Sequence, residues 1–341
     1  MHYARLMTTV GCSLALLLGL FVLLAHSPAQ ARNAITMERQ VKTSVVSSGT
    51  ILYSRQPTTT QPYGTIWFAT MDGLSVTQVT TGTWPRVSPD GRYVVFLRDD
   101  FRTSPLYPVR GDVYVLDLQT GLEMRIFQNN DYVENFGWTP DSAQIFMDYM
   151  CGIYRVNRDS TNPQTLFTAN CFDDAPAVNP LSGTFAFHNE YLGIGLANMN
   201  GSDRHFITNT TVGSFWPAWS SDGQWLSYGV FPGPLGVGSG FTMTAYYKIQ
   251  PDGMNRTRLI STTLSGDEVR PAGPWTSDGQ WIIAPGTISG THGVYAIATD
   301  GSGRLARLDV PADTQPYVDF VGAVSGTFKL MYYVYLPLIG K

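Results

Sequence analysis

Charge is scarce in this 341-residue chain: Asp, Glu, Lys and Arg make up 14% of it, and the formal net charge is −4. No basic stripe and no run of Lys and Arg exists to neutralise phosphates, so nucleic acid and anionic lipid are poor candidates for partners and the expectation is no nucleic acid. Cysteine is nearly absent, with three in the whole chain. The motifs of hydrolytic and metal chemistry are missing too. There is no Gly-x-Ser-x-Gly elbow, no His-Glu-x-x-His pair and no Asp-x-Asp-x-Asp calcium series. His188 and His205 stand in separate segments and read as structural. The sequence therefore predicts no metal, no cofactor and no catalytic constellation.

The first residues read as a targeting segment. Arg5 precedes an apolar run from Val10 to Ala25, followed by the small-residue site Ala29-Gln30-Ala31. Residues 1–31 are accordingly expected to be a signal peptide; an uncleaved anchor is the competing reading, although the run is short for a hydrocarbon layer of about 30 Å. Cys12 lies ahead of the apolar run, the wrong place for a lipid-modified cysteine. That leaves Cys151 and Cys171, and export to an oxidising compartment predicts a disulfide between them, with two reduced thiols as the alternative. Residues 32–46 read as a flexible lead-in and 335–341 as an apolar tail, either an export or anchoring label or a last closing strand.

What the chain has in abundance is turn residues and aromatics: 34 Gly, 21 Pro, and 13% Phe, Trp and Tyr. These favour many short strands over long helices. Sliding the chain against itself brings out the pattern. Trp84-Pro85-Arg86-Val87-Ser88-Pro89-Asp90-Gly91 recurs as Trp216-Pro217-Ala218-Trp219-Ser220-Ser221-Asp222-Gly223 and as Pro274-Trp275-Thr276-Ser277-Asp278-Gly279, each followed by an apolar strand. Weaker copies lie at Phe136–Ser142 and Ala175–Asn179, and a degenerate one at Tyr317–Phe320. A second strand-like segment follows each copy and ends in Asp-Gly, Asn-Gly or a similar turn. These segments start at 66, 113, 153, 194, 246 and 294, a period that suits a four-stranded propeller blade. Recurrence at a turn also assigns Asp90, Asp141, Asp222 and Asp278 to backbone hydrogen bonding rather than calcium.

The Pro-x-Trp-Ser-x-Asp-Gly-x-Trp element, followed by a strand, an Asp-Gly turn and a short outer strand, resembles the repeat of TolB-like propellers over residues 47–334. The resemblance implies an all-β, six-bladed β-propeller, with seven blades as the alternative. Such propellers serve as binding platforms, as gates on peptidases and sometimes as enzymes, so the likeness speaks to fold more than function. The first unit lacks an innermost strand of its own. Closure of the ring therefore predicts that a strand within residues 317–334 joins it.

Ligands of propellers commonly meet the loops that enter the innermost strands. Aligned repeats place Trp84, Asn135, Asp174, Phe215, Trp216, Arg270 and Tyr317 at that rim; packing between blades is the competing reading for the tryptophans. The Gly-rich stretch 231–241 interrupts the fifth unit as a candidate recognition loop. The expectation is an exported, monomeric, non-enzymatic scaffold, secreted, periplasmic or on the cell surface, that binds a protein or an envelope polysaccharide. The alternative is a polysaccharide-active lyase or hydrolase using Asp173, Asp174 and Glu268.

Overall fold

Each repeat folds as its turn residues dictate. In the computed structural model, Ser88, Thr139, Ser220 and Thr276 each donate a side-chain hydrogen bond to the aspartate two residues on, at 2.5–2.6 Å. That aspartate accepts the backbone N–H two residues further along, at 3.0–3.1 Å. One carboxylate oxygen thus pins a tight reversal, and the strands on either side pair antiparallel. The structure describes residues 48–55, 64–70, 75–98, 111–128, 133, 135–149, 152–167, 172–208, 213–231, 245–261, 268–269, 273–308, 318–327 and 334–335. The signal segment, the lead-in, Cys151, Cys171, Arg270, Tyr317, residues 232–241 of the Gly-rich stretch and tail residues 336–341 lie outside them.

There is no α-helix among the described residues; the elements form six sheets. Blade 1 contains β1 (Ser48–Arg55), β2 (Thr65–Thr70) and β3 (Val76–Thr81). Blade 2 contains β4 (Thr83–Val87), β5 (Tyr93–Arg98), β6 (Asp112–Asp117) and β7 (Glu123–Phe127). Blade 3 follows with β8 (Phe136–Trp138), β9 (Gln144–Asp148), β10 (Ile153–Asn157) and β11 (Gln164–Phe167). Blade 4 is β12 (Asp173–Val178), β13 (Thr184–Asn189), β14 (Gly193–Asn198) and β15 (His205–Phe206). Blade 5 is β16 (Gly213–Trp219), β17 (Leu226–Phe231), β18 (Ala245–Ile249) and β19 (Thr257–Ser261). Blade 6 holds β20 (Glu268–Val269), β21 (Trp281–Ile288), β22 (Thr291–Ala298) and β23 (Arg304–Arg307).

The chain then returns to where it began. β24 (Val318–Thr327) pairs antiparallel with β1 from Ser48↔Thr327 to Arg55↔Val318 and becomes the innermost strand of blade 1. This is the C-terminal closure expected from the missing strand. Gly322 lets β24 approach β4 closely: a Cβ there would lie 1.8 Å from the Pro85 carbonyl oxygen. A further strand, β25 (Val334–Tyr335), pairs with β23 as a fifth, outermost strand of blade 6.

The core is a ring of six apolar seams, one between each pair of neighbouring blades. Leu52 and Ile66 meet Val94, Phe96 and Leu116 between blades 1 and 2. Val95 and Leu97 meet Phe136 and Ile145 between blades 2 and 3, and Phe146 meets Phe185 and Phe187 between 3 and 4. Leu196 faces Tyr228 across the next seam, and Phe215 and Tyr246 face Tyr295 across the one after. Ile51, Tyr53 and Val321 pack on Trp281 and Ile283 where blade 1 meets blade 6. With a seam on both sides of every blade, the ring is closed at six, and the seven-bladed alternative falls. Three tryptophans at one repeat position reinforce the seams. The indoles of Trp138, Trp219 and Trp275 donate to the carbonyls of Arg86, Ala177 and Ala218 in the preceding blade, at 3.1, 2.9 and 3.2 Å. Each satisfies an inner-strand carbonyl while burying a large ring.

Candidate functional site: the upper rim at blades 4 and 5

All six inner strands run from an upper rim, where the chain enters them, to a lower face carrying the Asp turns. Just below the rim the strands carry a shared irregularity. Trp84, Ala175 and Trp216 occupy the same repeat position, each immediately before a proline, and adopt left-handed φ values of 54°, 50° and 51°. The register against the neighbouring strand slips there in all three blades, between Thr83 and Arg86, Asp174 and Ala177, and Phe215 and Ala218. These are bulges, which re-aim side chains next to binding sites. A left-handed non-glycine residue costs about 1–2 kcal/mol, and three at one level mark where the fold tolerates strain.

Around the blade 4 and blade 5 bulges, five predicted or neighbouring residues come together. His188, at the end of β13, is buried, and its Nδ1 accepts the Trp216 backbone N–H at 3.4 Å. Burial pushes its imidazole down to about 3, so the ring is neutral, and the bond to Nδ1 leaves the proton on Nε2. Nε2 lies 3.9 Å from Asp174 Oδ2, whose side chain is 21% exposed. The imidazole meets the rings of Phe215 and Trp216 edge-on at 4.8 and 6.2 Å, and Phe231 closes the aromatic group behind Trp216 at 5.6 Å. The result is a partly exposed carboxylate and indole backed by a neutral histidine, a surface suited to holding a polar or charged group against an aromatic wall.

The other candidates are buried, lie apart from this group or fall outside the described residues. Phe215 is fully buried and packs behind the rim. Trp84 is half-buried against the blade 2 and blade 3 seam, away from Trp216. Asn135 is buried in the channel, where its side-chain oxygen accepts from Arg86 Nε and Nη2 at 3.2 and 2.8 Å. Arg86 Nη1 also donates to the Val321 carbonyl of β24 at 3.1 Å, tying blade 2 to its neighbours, blades 1 and 3. Desolvation pushes the Arg86 guanidinium down to about 9, leaving it charged near neutrality. Asp173, one residue from Asp174, is buried and accepts both Arg204 Nη2, at 2.8 Å to each oxygen, and Asn189 Nδ2 at 2.8 Å. The Arg204 guanidinium in turn lies over the rings of Phe167, Phe187 and Phe206 at 4.9–5.5 Å. The buried Asp173 carboxylate is thus taken up in an ion pair with a partly exposed, aromatic-walled arginine. Of Glu268 only the backbone in β20 is described.

Sequence reasoning read His188 as structural, without its place beside Asp174, and passed over Arg86 and the β13–β14 tip. Arg86 and Asn135 are 49 positions apart and meet only once the blades are stacked. The signal that could have found His188 was its position opposite Asp174 in the β12–β13 register. Among the described residues no group of His, Cys, Asp and Glu is placed to hold a metal ion.

No family model matches this sequence. Over 213 residues it is 22% identical to the uncharacterised protein Atu1656 of Agrobacterium fabrum, a match covering 59% of this chain and 66% of that one. The structure is similar to TolB of Acinetobacter baumannii, with a TM-score of 0.59 and 17% identity over 81% of this chain and 65% of that one. It is also similar to a protein of Agrobacterium tumefaciens assigned as TolB, with a TM-score of 0.52, 15% identity, and coverage of 82% and 91%. The chain therefore spans about two thirds of the length of Atu1656 and of the Acinetobacter protein. Identity at this level establishes the fold: a six-bladed β-propeller with TolB proteins among its structural neighbours.

Proposed function

We propose that this chain is an exported binding scaffold of the TolB-like propeller type, recognising a protein or a cell-envelope polymer through its upper rim. The observation that carries this reading is the coincidence at one place of strained pre-proline bulges, a partly exposed carboxylate and indole, and a buried neutral histidine supporting them. Trp216 and Asp174, backed by His188, form the recognition surface, and the aligned repeats add Arg270 and Tyr317 as further candidates. The Pro-x-Trp-Ser-x-Asp-Gly repeats support the TolB-like assignment, and the Arg5, apolar run and Ala29-Gln30-Ala31 sequence supports export. The occupation of Asp173 by Arg204 weighs against a paired-carboxylate lyase or hydrolase at this rim, because that carboxylate has no remaining role on the surface.

The test is affinity capture from an envelope extract with the full chain, compared with the Asp174→Asn, Arg270→Gln double variant. A protein or glycan held by the unsubstituted chain and released by the variant is the expected result. Equal capture by both would overturn the rim assignment.

A further inference from the structure

The tip of the β13–β14 hairpin stands on the upper rim beside the Asp174 site, and it is held rigid from two directions. Asn189 Oδ1 accepts the backbone N–H groups of Tyr191 and Leu192, each at 3.0 Å, while its Nδ2 is anchored on Asp173. The Glu190 N–H donates to the Phe172 carbonyl at 3.2 Å, and the Tyr191 ring meets Phe172 edge-on at 4.7 Å. Yet the two side chains this scaffold presents are large, apolar and open to solvent, Tyr191 at 54% and Leu192 at 47% exposure. An apolar pair fixed in place with its face uncovered has already lost the freedom that binding would otherwise remove, which is how protein hot spots are built.

The third side chain of the tip sets the charge of what docks there. Partial burial pushes the Glu190 carboxyl above the usual carboxylate range, so its anion is under-solvated and gains from an approaching cation. The chain as a whole, at net charge −4, steers basic partners toward it.

We propose that this hairpin tip docks an extended segment of a partner protein in which an apolar side chain neighbours a Lys or Arg. Tyr191 and Leu192 receive the apolar side chain, and Glu190 receives the cation. The inference rests on the rim-binding reading and narrows the partner from protein or polymer to a basic, apolar peptide segment.

The experiment uses the full chain and three fluorescently labelled synthetic peptides. One alternates Leu and Lys, the second has Glu for every Lys, and the third has Ser for every Leu. The Leu and Lys peptide is expected to bind most tightly. Tyr191→Ser with Leu192→Ser weakens it by about tenfold, and Glu190→Gln by about threefold, with circular dichroism showing that each variant keeps the parent's fold. Equal binding of the three peptides overturns the proposal, as does a double variant that binds like the parent. Envelope capture separates the two readings. Capture that depends on Asp174 and not on Tyr191 and Leu192 leaves the rim reading standing and removes this one; capture that depends on neither removes both; capture lost with the Asp174 variant and with the hairpin pair supports both; capture lost with the hairpin pair alone overturns the Asp174 and Arg270 assignment and supports the hairpin tip as the docking surface.

Discussion

The lower face and the upper rim of this propeller are the two ends of the same inner strands, yet they are built on opposite principles. On the lower face, blades 2, 3, 5 and 6 repeat one device, a Ser or Thr hydroxyl and an Asp carboxylate closing a turn. The turns also hold one another: the Asp90 N–H bonds Ser142 Oγ at 3.1 Å, and Ser221 Oγ bonds the Ser277 carbonyl at 3.0 Å. Even the aberrant repeat of blade 4 conforms. Asn179 accepts the N–H groups of Leu181 and Ser182 and donates to the Gly223 carbonyl of blade 5 at 3.1 Å. Gly223, at φ 65°, leaves room for it: a Cβ there would lie 2.6 Å from Asn179 Oδ1. The rim shares its strain in blades 2, 4 and 5, but the residue just ahead of each bulge differs: Thr83, Asp174 and Phe215. Where the repeats agree, the residues make the turn; where they diverge, they make a surface. Sequence identity between repeats is thus a guide to structure, and its loss a guide to the site.

The two regions should come apart first in acid. His188 has a folded value of about 3 against an ordinary value of 6.5, so between those limits the unfolded chain binds a proton that the folded chain does not. Stability then falls as pH drops from about 6.5 toward 3, by about 1.4 kcal/mol per unit, or about 2 kcal/mol at pH 5 relative to pH 7. On the lower face the sign is the same but the window is lower. Hydrogen bonding from Arg92 holds the Asp117 carboxyl down at about 2, so its contribution is present above about pH 4 and is lost as pH falls from 4 toward 2. Urea unfolding across this range checks both. His188→Gln is expected to flatten the curve between pH 6.5 and 4 and leave the lower limb intact. An unchanged slope in the variant would mean that the rim histidine does not govern the upper window.

A smaller effect is expected on the lower face from Asp222→Ala. The change removes the acceptor of the Ser220 hydroxyl and of the Gln224 N–H at a solvent-exposed turn, and should cost about 1 kcal/mol in urea unfolding. Partner capture should be untouched. A loss of capture here would contradict the division of labour between the two faces.

That division also explains what could be read in advance. The turn aspartates, the blade period and the returning C-terminal strand follow from local rules, because each depends on residues within one repeat or on the need to close a ring. Alignment alone set Trp84 and Trp216 at one repeat position, and the structure gives both the same left-handed backbone there. The split between Asp173 and Asp174 was not legible, because adjacent strand residues point to opposite faces and only the folded chain shows that Arg204, 31 positions on, waits on one side. Arg86 was hidden for the same reason, its partners lying in blades 1 and 3. The left-handed bulges were illegible because a residue before proline ordinarily favours extended conformations, so nothing in Trp-Pro or Ala-Pro announces a positive φ.

The smallest expected effect tests that last feature. Ala175 is buried and left-handed at φ 50°, whereas Ala186, one strand away in the same blade, is equally buried in regular β13. Replacing Ala186 by glycine frees the unfolded backbone and removes a packed methyl group, costing about 1 kcal/mol or more. At Ala175 the same substitution makes the same two losses but relieves a left-handed strain of about 1–2 kcal/mol, so the two nearly cancel. Paired urea titrations should place Ala175→Gly within about 0.5 kcal/mol of the parent and Ala186→Gly clearly below it. If the two variants lose equal stability, the rim bulge carries no strain, and the case for the upper rim would rest on its side chains alone.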